Sequence, residues 1–160
     1  MNKPDPIARE LLLVGGGHSH VIVLRMLGMN PIPGLQITLV SPSKRTAYSG
    51  MLPGMVAGHY KEDEIHIDLE PLCRFAKARF IEARVKSIDP VMQIVETEDR
   101  PSLRYDVLSI DIGSTSSLKV KGAEGNVIPV KPINDFLVRW EEFLNRVTAG
   151  EISSIGFVGA

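Results

Sequence analysis

Residues 11–27 read LLLVGGGHSHVIVLRML, an aliphatic run, then three glycines with two histidines, then a second apolar run. An aliphatic segment that ends in glycine is typical of a strand buried on both faces. Residues 18–27 carry one charge, which indicates a helix buried on most of its surface. A second aliphatic segment, QITLV at 36–40, follows turn residues at 28–34. The order strand, helix, strand predicts a parallel unit with a right-handed crossover.

The three glycines fit a dinucleotide-binding turn better than a purely structural one. Gly15 and Gly17 occupy the first two positions of the pattern G-x-G-x-x-G, and His20 stands at the third. The first glycine of this pattern makes the turn, the second lets the backbone approach a pyrophosphate, and the third allows close packing of the helix. A helix that begins at His18 would offer free N–H groups to an anion. We expect His18 to line the cofactor site and His20 to pack by bonding a backbone group.

The composition excludes several classes of protein. The chain has 160 residues, of which 44% are hydrophobic and 23% charged, with a formal net charge of −1. It predicts one folded domain and no nucleic-acid partner, because no basic stripe is present. No apolar run is long enough to span a bilayer, and MNKPDPIARE does not resemble a secretory signal. Cys73 is a single cysteine, which rules out an internal disulfide and a CxxC pair. We expect a cytoplasmic protein.

The middle of the chain predicts loops, one helix and a β excursion. Residues 41–68 are rich in Gly, Pro and Ser, and most of them predict loops or short helical turns. Residues 68–77 predict an amphipathic helix with Asp68 as its cap. Residues 79–113 predict three antiparallel strands, the last of which returns to the main sheet. In the helix predicted at 68–77, the inward positions are Leu69, Leu72, Cys73 and Ala76.

The carboxy-terminal part predicts a loop at 119–132 and a helix over about 135–147, capped by Asn134 and ended by Gly150. The final residues, ISSIGFVGA at 152–160, repeat the pattern of an apolar strand followed by glycine. We infer a fragment of a longer protein that ends near a second nucleotide-binding motif. A strand edge at 155–160 would favour self-association of such a fragment.

The motifs together resemble the amino-terminal part of the pyridine nucleotide-disulfide oxidoreductase superfamily, which comprises FAD-dependent flavoproteins with two dinucleotide-binding domains. Within it, the sequence is most similar to the NADH dehydrogenase-like branch that in some proteins is joined to a selenide, water dikinase. The segments that carry the resemblance are VGGGHSH, ITLVSP, YSGMLPGMVAGHY, IHIDL, YDVLSIDIGS and IGFVGA.

The resemblance implies an α/β fold, a Rossmann-like parallel sheet with an antiparallel three-stranded β excursion. Residues 1–150 would be the FAD-binding domain and 151–160 the start of an NAD(P)-binding domain. FAD would be the cofactor, NAD(P)H the co-substrate of the full-length protein, and the electron acceptor is unknown. First-domain strands that return after the second domain are absent from the sequence, so the resemblance implies weak or no FAD binding by the 160-residue chain alone, and no activity.

The resemblance also assigns residues to the cofactor. Residues 15–18 would hold the FAD pyrophosphate, 48–53 would approach the flavin or the substrate, Val85 would lie near the adenine, and 112–114 would form a turn against the cofactor. No catalytic side chain is indicated, and no metal ligand, because the histidines lack Cys or acidic partners. The predicted cofactor-binding residues are Gly15, Gly16, Gly17, His18, Ser19, Ser41, Pro42, Arg45, Tyr48, Leu52, Pro53, Val85, Ile112, Gly113 and Ser114.

The sequence departs from the family pattern in ways that leave alternatives open. Ser41 stands where an acidic residue usually binds the adenosine ribose, and the redox-active cysteine pair is absent. The missing acid beside Lys44 and Arg45 also fits a clamp on the 2′-phosphate of NADP. Tyr48 and the methionines after it fit loop packing as well as a position near the flavin. A non-catalytic nucleotide-sensing module, associated with selenophosphate synthesis, is a further alternative.

Overall fold

The computed structural model describes residues 7–123 and 125–158. The chain divides into two compact units, Met1–Gly113 and Ser114–Ala160. The first unit contains all the strands found in the described residues, and the second contains one long helix.

A four-stranded parallel sheet forms the centre of the first unit. Its strands are β1 (Arg9–Val14), β2 (Leu35–Ser41), β5 (Arg79–Glu82) and β9 (Val107–Ile110), in the order β5-β2-β1-β9. Strand β1 pairs in parallel with both β2 and β9, and β2 pairs in parallel with β5. Helix α1 (His18–Met29) connects β1 to β2. The predicted parallel strand, helix, strand unit is confirmed.

Two smaller antiparallel sheets complete the strands of the first unit. Strands β3 (Arg45–Ala47) and β4 (His66–Asp68) form a pair. Between them lie two 3₁₀ turns and the short helix α2 (Leu52–Val56). A three-stranded antiparallel sheet, as predicted, is made by β6 (Val85–Asp89), β7 (Ile94–Thr97) and β8 (Leu103–Arg104).

The side chains of the parallel sheet alternate between its two faces, and both faces are covered by other elements. On one face, Leu13 and Leu39 pack with Leu24 of α1 and with Leu69 and Cys73 of α3 (Leu69–Phe75). The inward face predicted for α3 is confirmed, with Leu69, Cys73 and Ala76 buried and Leu72 packed against them.

The opposite face of the parallel sheet packs against the antiparallel excursion. Leu12, Val14 and Val40 contact Val95 of β7 and Tyr105, which follows β8. Val95 is completely buried, although it lies on a small sheet at the edge of the unit. The excursion therefore supplies part of the core.

The second unit consists of a loop segment and helix α4 (Ile133–Thr148). Phe136 and Leu137 are buried, and the indole ring of Trp140 stacks on the rings of Phe136 and Phe143 at centroid distances of 5.8 and 5.3 Å. Gly150 follows the helix with φ of +77°, which agrees with its predicted role as the terminating residue. None of the helices that the structure describes is both long and apolar enough to cross a membrane.

Several local predictions in the first unit are wrong. Residues 79–82 belong to the parallel sheet as β5, not to the excursion. Residues 45–47 and 66–68 are strands rather than loop, since each supplies the other with a pairing partner. Helix α1 buries only His20 and Leu24 and exposes Ile22, Met26 and Met29, so the prediction that it is buried on most of its surface is wrong.

The predicted helix caps are also corrected. Asp68 precedes α3, but its carboxylate makes no cap hydrogen bond and pairs instead with the Nε atom of Arg45 at 3.2 Å. Asn134 lies inside α4, and Pro132 occupies the cap position. The fixed φ of proline suits a helix start, and its carbonyl accepts a hydrogen bond from the N–H of Phe136.

The strand predicted within residues 152–160 is not formed at 152–158, which pair with no strand of the described residues. An extended segment without a partner leaves its backbone groups to water. Phe157 and Val158 are 80% and 100% exposed. Gly159 and Ala160, the second half of the predicted glycine motif, lie outside the described residues.

Candidate functional site

The site begins at the turn between β1 and α1, where Gly15 adopts a left-handed conformation with φ of +93°. Its N–H donates to the carbonyl oxygen of Val40 at 2.8 Å, which ties the turn to the end of β2. A Cβ atom on Gly15 would overlap the backbone carbonyl oxygen of Asp111, which cannot easily move. Glycine is therefore required here both by the conformation and by the space.

Gly16 and Gly17 are restricted by space alone. A Cβ on Gly16 would meet the side chain of Leu69, and a Cβ on Gly17 would meet the carboxylate of Asp111. Gly17 is the residue before α1, and its N–H donates to the carbonyl oxygen of Asp111 at 3.1 Å. The absence of side chains lets Leu69 and Asp111 approach the backbone of this turn closely, and a pyrophosphate needs the same close approach.

His20 takes the position of the third glycine and fastens the turn. It is 2% exposed. Its Nδ1 lies 2.7 Å from the carbonyl oxygen of Gly15, and its Nε2 lies 2.9 Å from Oγ of Ser109. Because a carbonyl can only accept, Nδ1 carries the proton, and in the neutral ring Nε2 accepts from the hydroxyl of Ser109. The prediction that His20 packs and bonds a backbone group is confirmed.

The apolar strand before Asp111 and the glycine at 113 predict a strand-end residue on the cofactor side, but the contact of Asp111 with α1 was not predicted. Asp111 directly follows β9, as expected of a residue at a strand end, but its carboxylate reaches the first turn of α1. Oδ2 accepts hydrogen bonds from the N–H groups of Ser19 at 2.9 Å and His20 at 3.3 Å. Negative charge is stabilised at this end of a helix. No local pattern predicts a contact across 91 residues, which depends on the pairing of β9 with β1.

The rings of His18 and Tyr48 stack beside the glycine turn, with centroids 4.3 Å apart and planes 24° from parallel. The Tyr48 N–H donates to the carbonyl oxygen of Ile65 at 2.7 Å, which anchors the loop that carries the ring. Leu52 is buried and Pro53 is exposed at the start of α2. The stacked pair brings the predicted segment 48–53 to the amino end of α1.

Ser41 lies at the end of β2, next to the glycine turn. Its side chain is buried, its Oγ accepts from the N–H of Ser43 at 3.4 Å, and a Cβ on Gly16 would lie 3.2 Å from that Oγ. Glu82, the last residue of β5, is the register partner of Ser41. The neighbouring strand β5 thus places an acidic residue beside Ser41, where the family pattern has an acidic residue on β2 itself. The sequence analysis did not predict this position of Glu82.

The cations near Ser41 already have carboxylate partners. Arg45 pairs through Nη2 with Asp63 at 3.1 Å and through Nε with Asp68 at 3.2 Å. Lys44 lies 3.7 Å from the carboxylate of Glu82. Both cations are partly exposed, so these pairs contribute little to stability. They nevertheless hold the guanidinium against two carboxylates.

The remaining predicted residues are distributed unequally. The Ile112 side chain borders Gly15, where an added Cβ would lie 2.9 Å from its Cγ2 atom, and Gly113 follows with φ of +74°. Val85 packs with the core cluster under the excursion. Pro42 is exposed, and Ser114 belongs to the second compact unit. The structure therefore gathers residues 15–19, 41, 48 and 112 around one turn, and their binding roles stay predictions.

Other reactive chemistry is not gathered in the part of the chain that the structure describes. Within residues 7–123 and 125–158, no group of His, Cys, Asp and Glu could hold a metal ion. Burial, and secondarily the charge of Glu70, raises the pKa of the Cys73 thiol to about 11. The thiol is buried as predicted and stays protonated near neutral pH, so it is a poor nucleophile.

Comparison with known proteins relates this arrangement to oxidoreductases. No family model matches the chain. The sulfide-quinone reductase of Aquifex aeolicus (strain VF5) is 29% identical over 120 residues, which cover 75% of this chain and 28% of that protein.

Solved structures agree with this similarity. The sulfide:quinone oxidoreductase from Aquifex aeolicus superposes with a TM-score of 0.73 at 24% identity, over 88% of this chain and 33% of that chain. NDH2 from Plasmodium falciparum in complex with NADH superposes with a TM-score of 0.69 at 17% identity, over 92% of this chain and 31% of that chain. The fold is shared with these oxidoreductases. The predicted α/β fold class is thereby confirmed, and the chain spans about a third of the length of the relatives it matches.

Proposed function

We propose that this chain is the FAD-binding part of an NAD(P)H-dependent flavoprotein oxidoreductase. The observation that carries the proposal is the turn from β1 into α1, in which left-handed Gly15 and the bare backbone of Gly16 and Gly17 precede a helix amino terminus. This is the geometry that receives the pyrophosphate of a dinucleotide. Similarity to a sulfide-quinone reductase and to NDH2, which was solved with NADH, supports the same class.

The residues of the turn fit an anionic group. The first-turn N–H groups of Ser19 and His20 already hold a carboxylate, so their positions suit an oxygen with negative charge. A side chain at Gly17 would overlap the carboxylate that they hold. FAD, when bound, would supply the redox chemistry, accepting hydride from NAD(P)H and passing electrons to an acceptor. The chain itself would bind and orient the cofactor.

Two further groups would contact the cofactor in this proposal. The stacked rings of His18 and Tyr48 would flank it beside the phosphates, which supports assigning residues 48–53 to its neighbourhood. The hydroxyl of Ser41 would meet the adenosine ribose, with Glu82 on the next strand as an additional carboxylate. The identity of the electron acceptor, the cytoplasmic location and a link to selenide, water dikinase are predictions that rest on the sequence resemblance.

An NADP site at the first glycine motif is less well supported. It needs Arg45 for the 2′-phosphate, and Arg45 is held by Asp63 and Asp68. Selective loss of NADPH binding in Arg45→Ala would favour that alternative. A non-catalytic nucleotide-sensing module would bind a dinucleotide but would not reduce flavin with NAD(P)H in the full-length protein.

Titration of the apo protein with FAD, followed by flavin fluorescence, tests the proposal. The full-length wild type should bind FAD, and Gly17→Ala should weaken binding at least about tenfold, because a methyl group blocks close approach of the pyrophosphate. Gly156→Ala is the matched control, since a Cβ there meets nothing within 4 Å. A folded full-length protein that takes up no flavin, or equal affinities for the two variants, would contradict the proposal.

A further inference from the structure

The proposed anion site of α1 is occupied by a group of the protein itself. The Asp111 carboxylate accepts from the N–H groups of Ser19 at 2.9 Å and His20 at 3.3 Å. These are donors that the amino end of a helix leaves free for a ligand. The carboxylate also fills the space that the missing side chain of Gly17 leaves open.

The backbone of Asp111 is held independently of its side chain. Its N–H donates to the carbonyl oxygen of Val14 at 2.8 Å, and its carbonyl oxygen accepts from Gly17 at 3.1 Å. These bonds continue the pairing of β9 with β1. Rotation about the Cα–Cβ bond of Asp111 therefore suffices to move the carboxylate away while the turn keeps its shape.

We propose that Asp111 is an internal competitor that occupies the pyrophosphate position and must swing out before a dinucleotide can bind. This inference rests on the proposed function, and it deepens it by assigning a residue that sets cofactor affinity. Asp111 is absent from the set of cofactor residues that the sequence resemblance supplies.

The competition follows from charge and from donor number. A carboxylate and a pyrophosphate are both anions, and in a partly enclosed site their mutual repulsion is not fully screened. The N–H groups of Ser19 and His20 bond the carboxylate now, and a phosphate oxygen needs the same donors. Binding of the dinucleotide therefore breaks two hydrogen bonds that stabilise the free protein, which lowers the apparent affinity.

The structure offers a matched control for removing this carboxylate. Asp89 also caps backbone donors, since its Oδ1 accepts from the N–H groups of Val91 and Met92, each at 2.9 Å. It lies at the end of β6 in the turn toward β7, on the antiparallel excursion. Asp89→Asn removes the same charge and weakens the same type of bond without touching α1.

The experiment compares FAD dissociation constants and urea midpoints of four full-length proteins: the wild type, Asp111→Ala, Asp111→Asn and Asp89→Asn. Asp111→Ala should bind FAD about tenfold more tightly than the wild type, as expected for removing a charge and a cap from a helix terminus. Its urea midpoint should fall, because the free protein loses the cap. Asp111→Asn keeps the shape of the side chain and one acceptor oxygen, so its gain in FAD affinity should be smaller. Asp89→Asn should leave the FAD affinity unchanged.

A lower urea midpoint together with tighter FAD binding in Asp111→Ala distinguishes competition from a general effect of the substitution, which would weaken both stability and binding. Wild-type FAD binding with unchanged or weaker binding in both Asp111 variants would overturn this inference and leave the proposed function intact. If Asp111→Ala does not fold, Asp111→Asn alone decides between these results. Absence of FAD binding in all four proteins would overturn the proposed function and this inference with it.

Discussion

The two ends of the parallel sheet differ in how their polar groups are satisfied. At the amino end, Arg79 bonds the carboxylate of Glu10 at 2.7 Å, and Nε of Arg79 bonds the hydroxyl of Thr38 at 3.0 Å. Thr38 in turn bonds Glu10, and the carboxylate of Asp106 accepts from the Glu10 N–H at 2.6 Å. At the carboxyl end, one carboxylate, that of Asp111, satisfies donors at the start of α1.

This difference shows which end can exchange its partners. At the amino end Arg79 and Glu10 pair with each other, so displacing either of them leaves the other charge without its partner. At the carboxyl end, a single side chain can leave and another anion can take its place. Ligands of open α/β sheets bind beyond the carboxyl ends of the strands, in agreement with this asymmetry.

The largest effect is expected for Gly15→Ala at the carboxyl end. The substitution forces a left-handed conformation on alanine and drives its Cβ into the Asp111 carbonyl, which should cost about 3 kcal/mol of unfolding free energy and abolish FAD binding. Gly58→Ala has a similar φ of +80° but open space, and should cost about 1 kcal/mol. Urea denaturation measures both, and equal costs would show that the contact with Asp111 is unimportant.

The next effect concerns the histidine that replaces the third glycine. His20→Ala leaves a cavity and removes the donor to the Gly15 carbonyl, so the unfolding free energy should fall by about 2 kcal/mol. The exposed His59 serves as control, and His59→Ala should change stability by less than about 0.5 kcal/mol. Thermal or urea unfolding checks the pair. A neutral His20→Ala would mean that the turn holds without this bond.

A moderate effect at the amino end should separate stability from binding. Glu10→Gln weakens the bonds to Arg79 and Thr38, and should cost about 1 kcal/mol while leaving FAD affinity unchanged. Glu98→Gln removes an exposed partner of Arg84 at 3.8 Å and should be nearly neutral. If Glu10→Gln changed FAD affinity as strongly as Gly17→Ala, the contrast between the two ends would be lost.

The smallest effect concerns Cys73 in the core between the two ends. Its folded pKa is raised to about 11 from an ordinary value of 9.0, so the protonated thiol favours the folded state. This contribution is complete below pH 9 and is lost as pH rises toward 11. Urea midpoints between pH 8 and 11 should fall more for the wild type than for Cys73→Ala. Parallel curves would contradict the raised pKa.

The sequence predicted the centre of the fold because its signals are local. The aliphatic runs at 11–14 and 36–40, the glycines between β1 and α1, and the amphipathic pattern of α3 all depend on adjacent residues. The assignment of 79–82 failed because a short apolar run fits a parallel strand as well as an antiparallel one. Only tertiary pairing distinguishes the two.

The candidate site was only partly predictable for the same reason. The glycine turn and the packing of His20 followed from the motif. The contact of Asp111 with α1 and the position of Glu82 beside Ser41 depend on which strands lie next to one another. The predicted clamp at Arg45 did not account for Asp63 and Asp68, which the pairing of β3 with β4 and the intervening 3₁₀ turn bring close.

The most direct test of the central claim is a ¹H–¹⁵N NMR titration of the chain with FAD, comparing the amides of the two ends of the sheet. We predict that the amide signals of Gly17, Ser19 and His20 shift on binding, while those of Glu10 and Asp106 do not. Unchanged signals at the glycine turn under conditions where FAD binds, or shifts confined to the amino end, would contradict the assignment of this turn to the cofactor.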